Sequence, residues 1–457
     1  MSVKLSEKER AWVSKSSLQA NKSGWLYLTI AGEPFERGFQ HGHQLADALA
    51  ATLRSNRYWS HWLTAQDFSF FIDAANDMYL PLIDDEFKQE MEGIAAGAKA
   101  KGVDTSFGEI LAWNSFVDLV YSWWPTEKAK IRPNQSSRHR DVGHRCSAFI
   151  ATGSATSDGQ IVMAHNTWDA FLQAQHFNVV IDISPSSGQR MVMQTAPGWI
   201  ASMMDFTINS AGLMVTETTI DGYSGFDPTQ SPEFYRSRRA CQYSESIDQW
   251  ADIMSTDRNG GYANSWLLGD TKTGEIARYE LGLNYSSPLE KKTDGFFCGE
   301  NVPADLKVRV METADPSAYS DISGNGARRV RWKKLMNQHK GKIDVNLAKQ
   351  MIGDHYDGYL EKDNPCSRTL CGHIDEDNGQ IGSAHGHPPF YPWGAVDGKV
   401  ADSKSVQEFG FHGRWGRACG QSFDAERFLK ERPQYDWLDG YLISRPSNDW
   451  QRFGEVT

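Results

Sequence analysis

Arg145-Cys146-Ser147-Ala148-Phe149-Ile150-Ala151 marks the point where a helical, charged leader gives way to a strand-rich remainder. The run Cys146–Ala151 is apolar and short enough for a buried strand. A cut of the backbone before Cys146 would give one residue both a thiol and a free α-amine. An α-amine has an ordinary pKa of about 7.7–8.0, so a useful fraction is neutral near pH 7 and can take the thiol proton. One residue then carries nucleophile and base.

Upstream, residues 1–120 read mostly as helix. Pro34 suits a first turn, and the apolar residues that follow it keep helical spacing; Glu86 to Lys101 repeats the pattern. Phe107 to Trp124 is apolar nearly all round, the mark of a buried helix. From Thr126 to Arg145 the chain turns basic and poor in apolar residues, with Arg132, Arg138, Arg140 and Arg145 around Pro133-Asn-Gln-Ser-Ser. This reads as an exposed connector, pliable enough for a scissile bond. Downstream, Cys146–Ala151, Gln160–His165, Phe177–Ile183, Met191–Thr195, Ala201–Ile208 and Gly212–Thr219 read as an antiparallel meander separated by glycine turns. A helix over Pro232–Met254, a hairpin of Ala263–Leu268 and Glu275–Leu281, and helices over Ala327–His339 and Asp344–Asp354 follow. The last ninety residues show no clear period. Sheet runs flanked by helix runs predict a layered α+β fold.

The 457 residues carry 40% apolar and 12% aromatic side chains with sixteen Trp, a composition that predicts a large core. A net charge of −11 offers no basic face for phosphates, which argues against nucleic acid as a partner. The first ten residues lack a signal-peptide core, and no run of about eighteen apolar residues occurs, so a cytoplasmic protein without a transmembrane helix is expected. Six cysteines are sparse for this length, and reduced thiols are expected. Cys366, Cys371 and His373, with His385 and His387 nearby, could suggest zinc. Their C-x4-C and C-x-H spacing lacks a second pair, so neither metal nor cofactor is expected.

Three segments carry a family resemblance. Gly32-Glu-Pro-Phe-Glu-Arg-Gly-Phe-Gln-His-Gly42 resembles the leader motif of the acyl-coenzyme A:isopenicillin N acyltransferase family, and Cys146-Ser-Ala-Phe with Ala164-His-Asn-Thr-Trp-Asp169 resembles its nucleophile and neighbouring strands. The latter pair is closer still to the phospholipase B-like proteins. Ile208-Asn-Ser-Ala-Gly212, Asn264-Ser-Trp-Leu-Leu-Gly-Asp270 and Gly394-Ala-Val-Asp-Gly-Lys399 extend the likeness. Both families belong to the N-terminal nucleophile hydrolases. The resemblance implies a four-layer αββα sandwich with a helical N-terminal leader and an irregular C-terminal extension. It also implies autocatalytic cleavage between Arg145 and Cys146, leaving residues 1–145 as a small subunit bound to a large subunit of residues 146–457.

The implied chemistry is attack by the Cys146 thiol on an acyl amide or ester, giving a thioester that is hydrolysed or passed to an amine. In the family an Asn occupies the position of Asn264, which is therefore expected to stabilise the oxyanion, and Asn166 is expected to orient the Cys146 amine. The family's Asn-Trp-Asp is interrupted here as Asn166-Thr167-Trp168-Asp169, so the counterpart of its aspartate is Asp169, Thr167 or Trp168. His165 alternates to the face opposite Asn166, which predicts a supporting histidine. Glu217, a carboxylate on a candidate strand, needs a partner such as Arg368 or the active-site amine. A lipid ester substrate, a Cys/His thiol hydrolase using His144 or His165 without cleavage, and an uncleaved binding scaffold stand as alternatives. A homo-oligomer is left open.

Overall fold

The computed structural model describes residues 4–20, 23–131, 145–203, 205–380 and 386–454. Most of the basic connector, including Arg132, Arg138, Arg140 and His144, lies outside the described residues, as does His385. The chain forms two compact units.

The first unit comprises Met1–Ser137, His176–Ala211 and Gly225–Tyr262. The leader is helical as expected, with helices at Pro34–Gln44, Ala46–Thr64, Phe68–Tyr79 and Asp85–Ala100, yet it also contributes strands Ser17–Ala20 and Leu26–Gly32. These strands join Val179–Pro185, Met191–Thr195 and Phe206–Asn209 in one sheet. Leu26–Gly32 runs parallel to Val179–Pro185, which departs from a simple meander. Leu28, Ile30, Ile181, Ile183 and Met193 pack with Leu45 and Cys241 in a core between sheet and helices. Pro232–Met254 divides into two helices, Glu233–Tyr243 and Ile247–Ser255. Ser246 ends the continuity by capping the second, its side chain accepting from Gln249 N.

The helices Pro34–Gln44 and Asp85–Ala100 touch along glycines. A β-carbon at Gly38 would lie 1.9 Å from Glu90 O, and at Gly42 1.9 Å from Ile94 O; Gly93 and Gly97 approach Phe35 O and Phe39 O in return. Beside this seam the Glu90 carboxylate is fully buried between two guanidiniums, accepting from Arg37 Nε at 2.7 Å and Arg238 Nη2 at 3.0 Å.

The second unit comprises Arg138–Gln175, Gly212–Ser224 and Ala263–Thr457. The cysteine strand, Arg145–Gly153, pairs antiparallel with the histidine strand, Gly159–Ala170, and with Gly295–Gly299 on its other side. Asp397–Asp402, His412–Trp415 and Gln451–Arg452 continue that sheet, and Trp393–Ala395 pairs with the histidine strand. The C-terminal part is therefore a structural portion of the nucleophile-bearing sheet, a correction to the expected irregular extension. Its strands are short, and Trp393–Ala395 and most of Asp397–Asp402 are buried on both faces. Asp397–Asp402 reads Asp-Gly-Lys-Val-Ala-Asp, without the alternation that reveals a half-exposed strand.

A second layer of strands within this unit is formed by Leu213–Thr219, Asn264–Asp270, Glu275–Leu281 and Glu290–Lys292, paired antiparallel in that order as part of the nine-stranded sheet. It faces the first, since a β-carbon on Gly269 would lie 3.0 Å from Ile150 Cδ1 and one on Gly299 would meet Thr218. On the far side of the cysteine strand, Phe149 meets Trp332 of the helix Gly326–Gln338 at a ring separation of 5.3 Å. Helix, sheet and sheet thus stack in the α+β manner anticipated. The connector expectation holds only in part: Trp124–Ile131 is helix, and Arg145 begins the strand, with 1% of its surface exposed.

Candidate active site

Register decides which side chains accompany the thiol. In an antiparallel pair, residues directly opposite one another share a face. Cys146 stands opposite Thr167, Ala148 opposite His165, and His165 opposite Lys399, so Cys146, His165, Thr167 and Lys399 all point between the sheets. Cys146 is fully buried and reduced, and its Sγ lies within 4.8 Å of a His165 ring nitrogen. His165 is pushed well below the ordinary histidine value, first by burial and then by the Lys399 ammonium, and is neutral at pH 7. Lys399 donates to Thr167 Oγ1 at 2.7 Å and pairs with the buried Asp397, whose carboxylate also accepts from Thr167 N.

Asn166 stands opposite Ser147, on the other face. Its Oδ1 accepts from Ser147 N at 3.1 Å and Trp168 Nε1 at 2.9 Å; its Nδ2 donates to Ile352 O and Leu370 O. This corrects the expectation that Asn166 orients the Cys146 nitrogen, because strand alternation turns it toward the helix side. His165, predicted to be only a supporting residue, shares the thiol's face.

The partner of the Cys146 nitrogen is Asn301. Cys146 N donates to Asn301 Oδ1 at 3.3 Å, while Asn301 Nδ2 donates to Thr219 O at 2.6 Å. Asn301 adopts φ 68, a left-handed conformation that Asn tolerates better than most residues, which aims its amide at the strand head. Arg328, completely buried on the helix Gly326–Gln338, donates to Cys146 O at 2.7 Å, to Asn301 Oδ1 at 2.8 Å and to Asn325 Oδ1 at 3.0 Å. Burial lowers its pKa to about 10, against the raising influence of Glu300 and Asp221, so it stays cationic at neutral pH. The guanidinium also lies 4.3 Å from the Trp168 ring centroid. Arg145 is anchored separately, Nη2 donating to Asp221 Oδ1 at 2.7 Å.

The other candidates are placed as follows. Gly269 faces Ile150, so alternation along Asn264–Asp270 carries Asn264 to the face turned away from the cysteine strand. There, with its amide nitrogen turned toward them, Asn264 donates to Glu217 Oε2 at 2.7 Å and Ala263 O at 2.9 Å. Asn264 therefore accompanies Glu217 rather than the thiol. Arg368 pairs with Asp357 at 2.7 Å. Asp169 is buried at the end of the histidine strand, where its carboxylate accepts from Ala170 N.

Asn301 and Arg328 carry no local sequence signal of this role. Asn301-Val302-Pro303 looks like an ordinary turn, and Arg328 is one of several cations between Arg328 and Lys334, with no pattern to single it out.

The Phospholipase B family model matches residues 54–310, a span that includes the cysteine strand, the histidine strand and Asn301. The chain belongs to the phospholipase B family. An uncharacterized protein of Archaeoglobus fulgidus is 24% identical over 80% of this chain and 64% of its own length. Human phospholipase B-like 1 is 24% identical over 68% of this chain and 60% of its own. Phospholipase B of Crotalus adamanteus is 25% identical over 59% and 51%. The chain thus spans between about half and two thirds of the length of these phospholipase B relatives. Among solved structures, penicillin V acylase from Agrobacterium tumefaciens aligns with 9% identity and a TM-score of 0.29, covering 59% of this chain and 82% of that one. A variant of conjugated bile acid hydrolase from Clostridium perfringens aligns at 6% and 0.29. Overlaps this loose carry no argument about activity.

Proposed function

We propose that this phospholipase B family member is an acyl hydrolase of the N-terminal nucleophile type, acting on acyl amides or esters through a thioester on Cys146. The supporting observation is the pairing of Cys146 N with Asn301 Oδ1, under the Arg328 guanidinium. Scission of the Arg145–Cys146 bond would convert that nitrogen into an amine already facing a hydrogen-bond acceptor. The amine takes the thiol proton, the thiolate adds to the substrate carbonyl, and the proton is returned to the departing amine or alcohol. Water then cleaves the thioester by the reverse proton path, or a second amine captures it. The Arg328 charge beside Cys146 favours the thiolate and the negative charge that develops on the carbonyl oxygen.

Intact mass and turnover together test this reading. Wild-type protein is expected to appear as two fragments divided before Cys146 and to hydrolyse N-acyl amines or phospholipids. Cys146→Ala is expected to stay whole and inactive. Full activity in the alanine variant would refute the proposal, and the preferred substrate panel decides between amide and lipid ester.

His165 supports a second reading, in which an uncut chain uses a neutral imidazole as the base, since its ring nitrogen lies within 4.8 Å of Cys146 Sγ. That reading requires activity from a full-length species and its loss in His165→Gln.

A further inference from the structure

His355, Cys371 with His373, and Cys419 come from three separate stretches of the second unit. His355 precedes His373 by 18 residues, and Cys419 follows it by 46. Their Nε2 and Sγ atoms nevertheless converge: His355 Nε2 lies 3.0 Å from His373 Nε2, Cys371 Sγ 3.6 Å from His373 Nε2, and Cys419 Sγ 3.6 Å from the same nitrogen. One ligand atom from each of the four falls within 4.8 Å of all the others. We propose that these four side chains bind a structural zinc ion as a two-thiolate, two-imidazole tetrahedron.

The dimensions argue for it. Zinc–nitrogen bonds of about 2.0–2.1 Å and zinc–sulfur bonds of about 2.3 Å give tetrahedral edges of about 3.4 Å between nitrogens and about 3.6 Å between nitrogen and sulfur. The two nitrogen–sulfur separations match, and the nitrogen pair is only slightly tighter. Two imidazoles meeting through their Nε2 atoms, flanked by two thiols, make an unusual hydrogen-bond cluster but an ordinary ligand set, and S2N2 donors favour zinc among the divalent metals. Four protein ligands leave no open position, so the site is structural rather than catalytic.

The surrounding groups are arranged as a ligand cage requires. The other ring nitrogen of His373 meets Glu376 Oε1 at 3.0 Å, which directs the Nε2 lone pair toward the cluster. Arg417 Nη1 holds that carboxylate at 2.8 Å, and Gln421 N donates to Cys419 Sγ at 3.4 Å. Gly372, between two ligands, lies so close to Trp168 that a β-carbon there would come within 2.6 Å of the indole. Leu370 O, one residue before Cys371, accepts from Asn166 Nδ2 at 3.0 Å. Zinc would therefore knot the loop against which the histidine strand rests. The spacing that argued against a metal joined Cys366, Cys371 and His373, and it missed the cluster because the two other ligands, His355 and Cys419, lie outside that stretch. Cys366 instead faces Asp357, and His387 stacks on Tyr391.

Elemental analysis of the purified full chain, free of any histidine tag, tests the site without reference to catalysis. About one zinc per chain is expected. Replacement by Co2+ should give visible d–d absorption together with a thiolate-to-metal charge-transfer band. Cys371→Ser and Cys419→Ser should each lose the metal, whereas Cys366→Ser should keep it. Metal-free wild-type protein, whether its two thiols titrate freely or as a disulfide, would overturn the assignment. So would iron in place of zinc, or zinc retained when both Cys371 and Cys419 are serine. Because neither readout involves turnover, failure here and failure of the Cys146 mechanism are separable.

Discussion

Asn301 shows how much one side chain can organise. Its oxygen accepts from both Cys146 N and Arg328, and its nitrogen donates to Thr219 O, so all three neighbours are oriented through one amide. Asn301→Ala removes the acceptor for the Cys146 nitrogen and leaves a buried guanidinium with one bond fewer. By the magnitudes usual for preorganised polar groups at reacting centres, kcat should fall about 100-fold to 1,000-fold, with a smaller change in KM. Asn301→Asp retains an acceptor and should recover part of the loss; equal kcat in wild type and the alanine variant would remove Asn301 from the site. Neither residue at this centre stands near Cys146 in the sequence, and a turn asparagine and a helix arginine carry no local mark of their role. Cys146 and His165 were legible because apolar strand runs frame them. Their shared face was not, because alternation gives relative phase within one strand, whereas register between strands joins the phases.

At the scale of elements, the glycine seam between Pro34–Gln44 and Asp85–Ala100 is the tightest contact in the leader. Gly38 and Gly42 are spaced by four on one helix, as are Gly93 and Gly97 on the other, so the backbones approach without intervening β-carbons. Gly42→Ala improves helix propensity by about 1 kcal/mol in isolation. In place, its new carbon would sit 1.9 Å from Ile94 O, forcing the helices apart. Overpacking wins, and the expected net loss is about 1–3 kcal/mol, measured as a lowered urea midpoint. An unchanged midpoint would mean that the helices separate without penalty. Helical periodicity located both helices, while their glycines read as weak points until the partner helix explained them.

Over the whole molecule, buried titratable groups set a stability optimum on the acid side of neutral. His41, His176 and His412 are each lowered to about 4, with burial the largest cause, and His165 is lowered as well. Their depressed values mean stability that is present above about pH 6.5 and lost as pH falls toward 4, because the unfolded chain takes up protons that the folded one refuses. Asp118, Glu233 and Glu300 are raised by burial to about 6, about 7 and about 8. Raised carboxyls act oppositely: their stability is present below the unfolded value near 4 and is lost as pH rises through 6 to 8. The two proton counts balance near about pH 6, where Tm should peak and then fall on either side. A Tm that climbs steadily from about pH 6 to 8 in a scanning fluorimetry series would contradict this balance.

Local patterning determined a good deal by itself. The apolar run predicts a cysteine strand at Cys146–Ala151, and the strand is Arg145–Gly153; the next predicts Gln160–His165, and the histidine strand is Gly159–Ala170; the hairpin of Ala263–Leu268 and Glu275–Leu281 is displaced by only a residue or two. These follow from apolar runs and glycine turns, which are properties of neighbouring residues. Tertiary structure alone decided that the strands divide between sheets, that the C-terminal segments extend the nucleophile's sheet, and that Asn301 and Arg328, not Asn166, hold the head of the cysteine strand. It alone gathered His355, Cys371, His373 and Cys419. Each depends on strand register or on contacts between residues tens to hundreds of positions apart, and the energies that select them arise only once the chain has closed on itself.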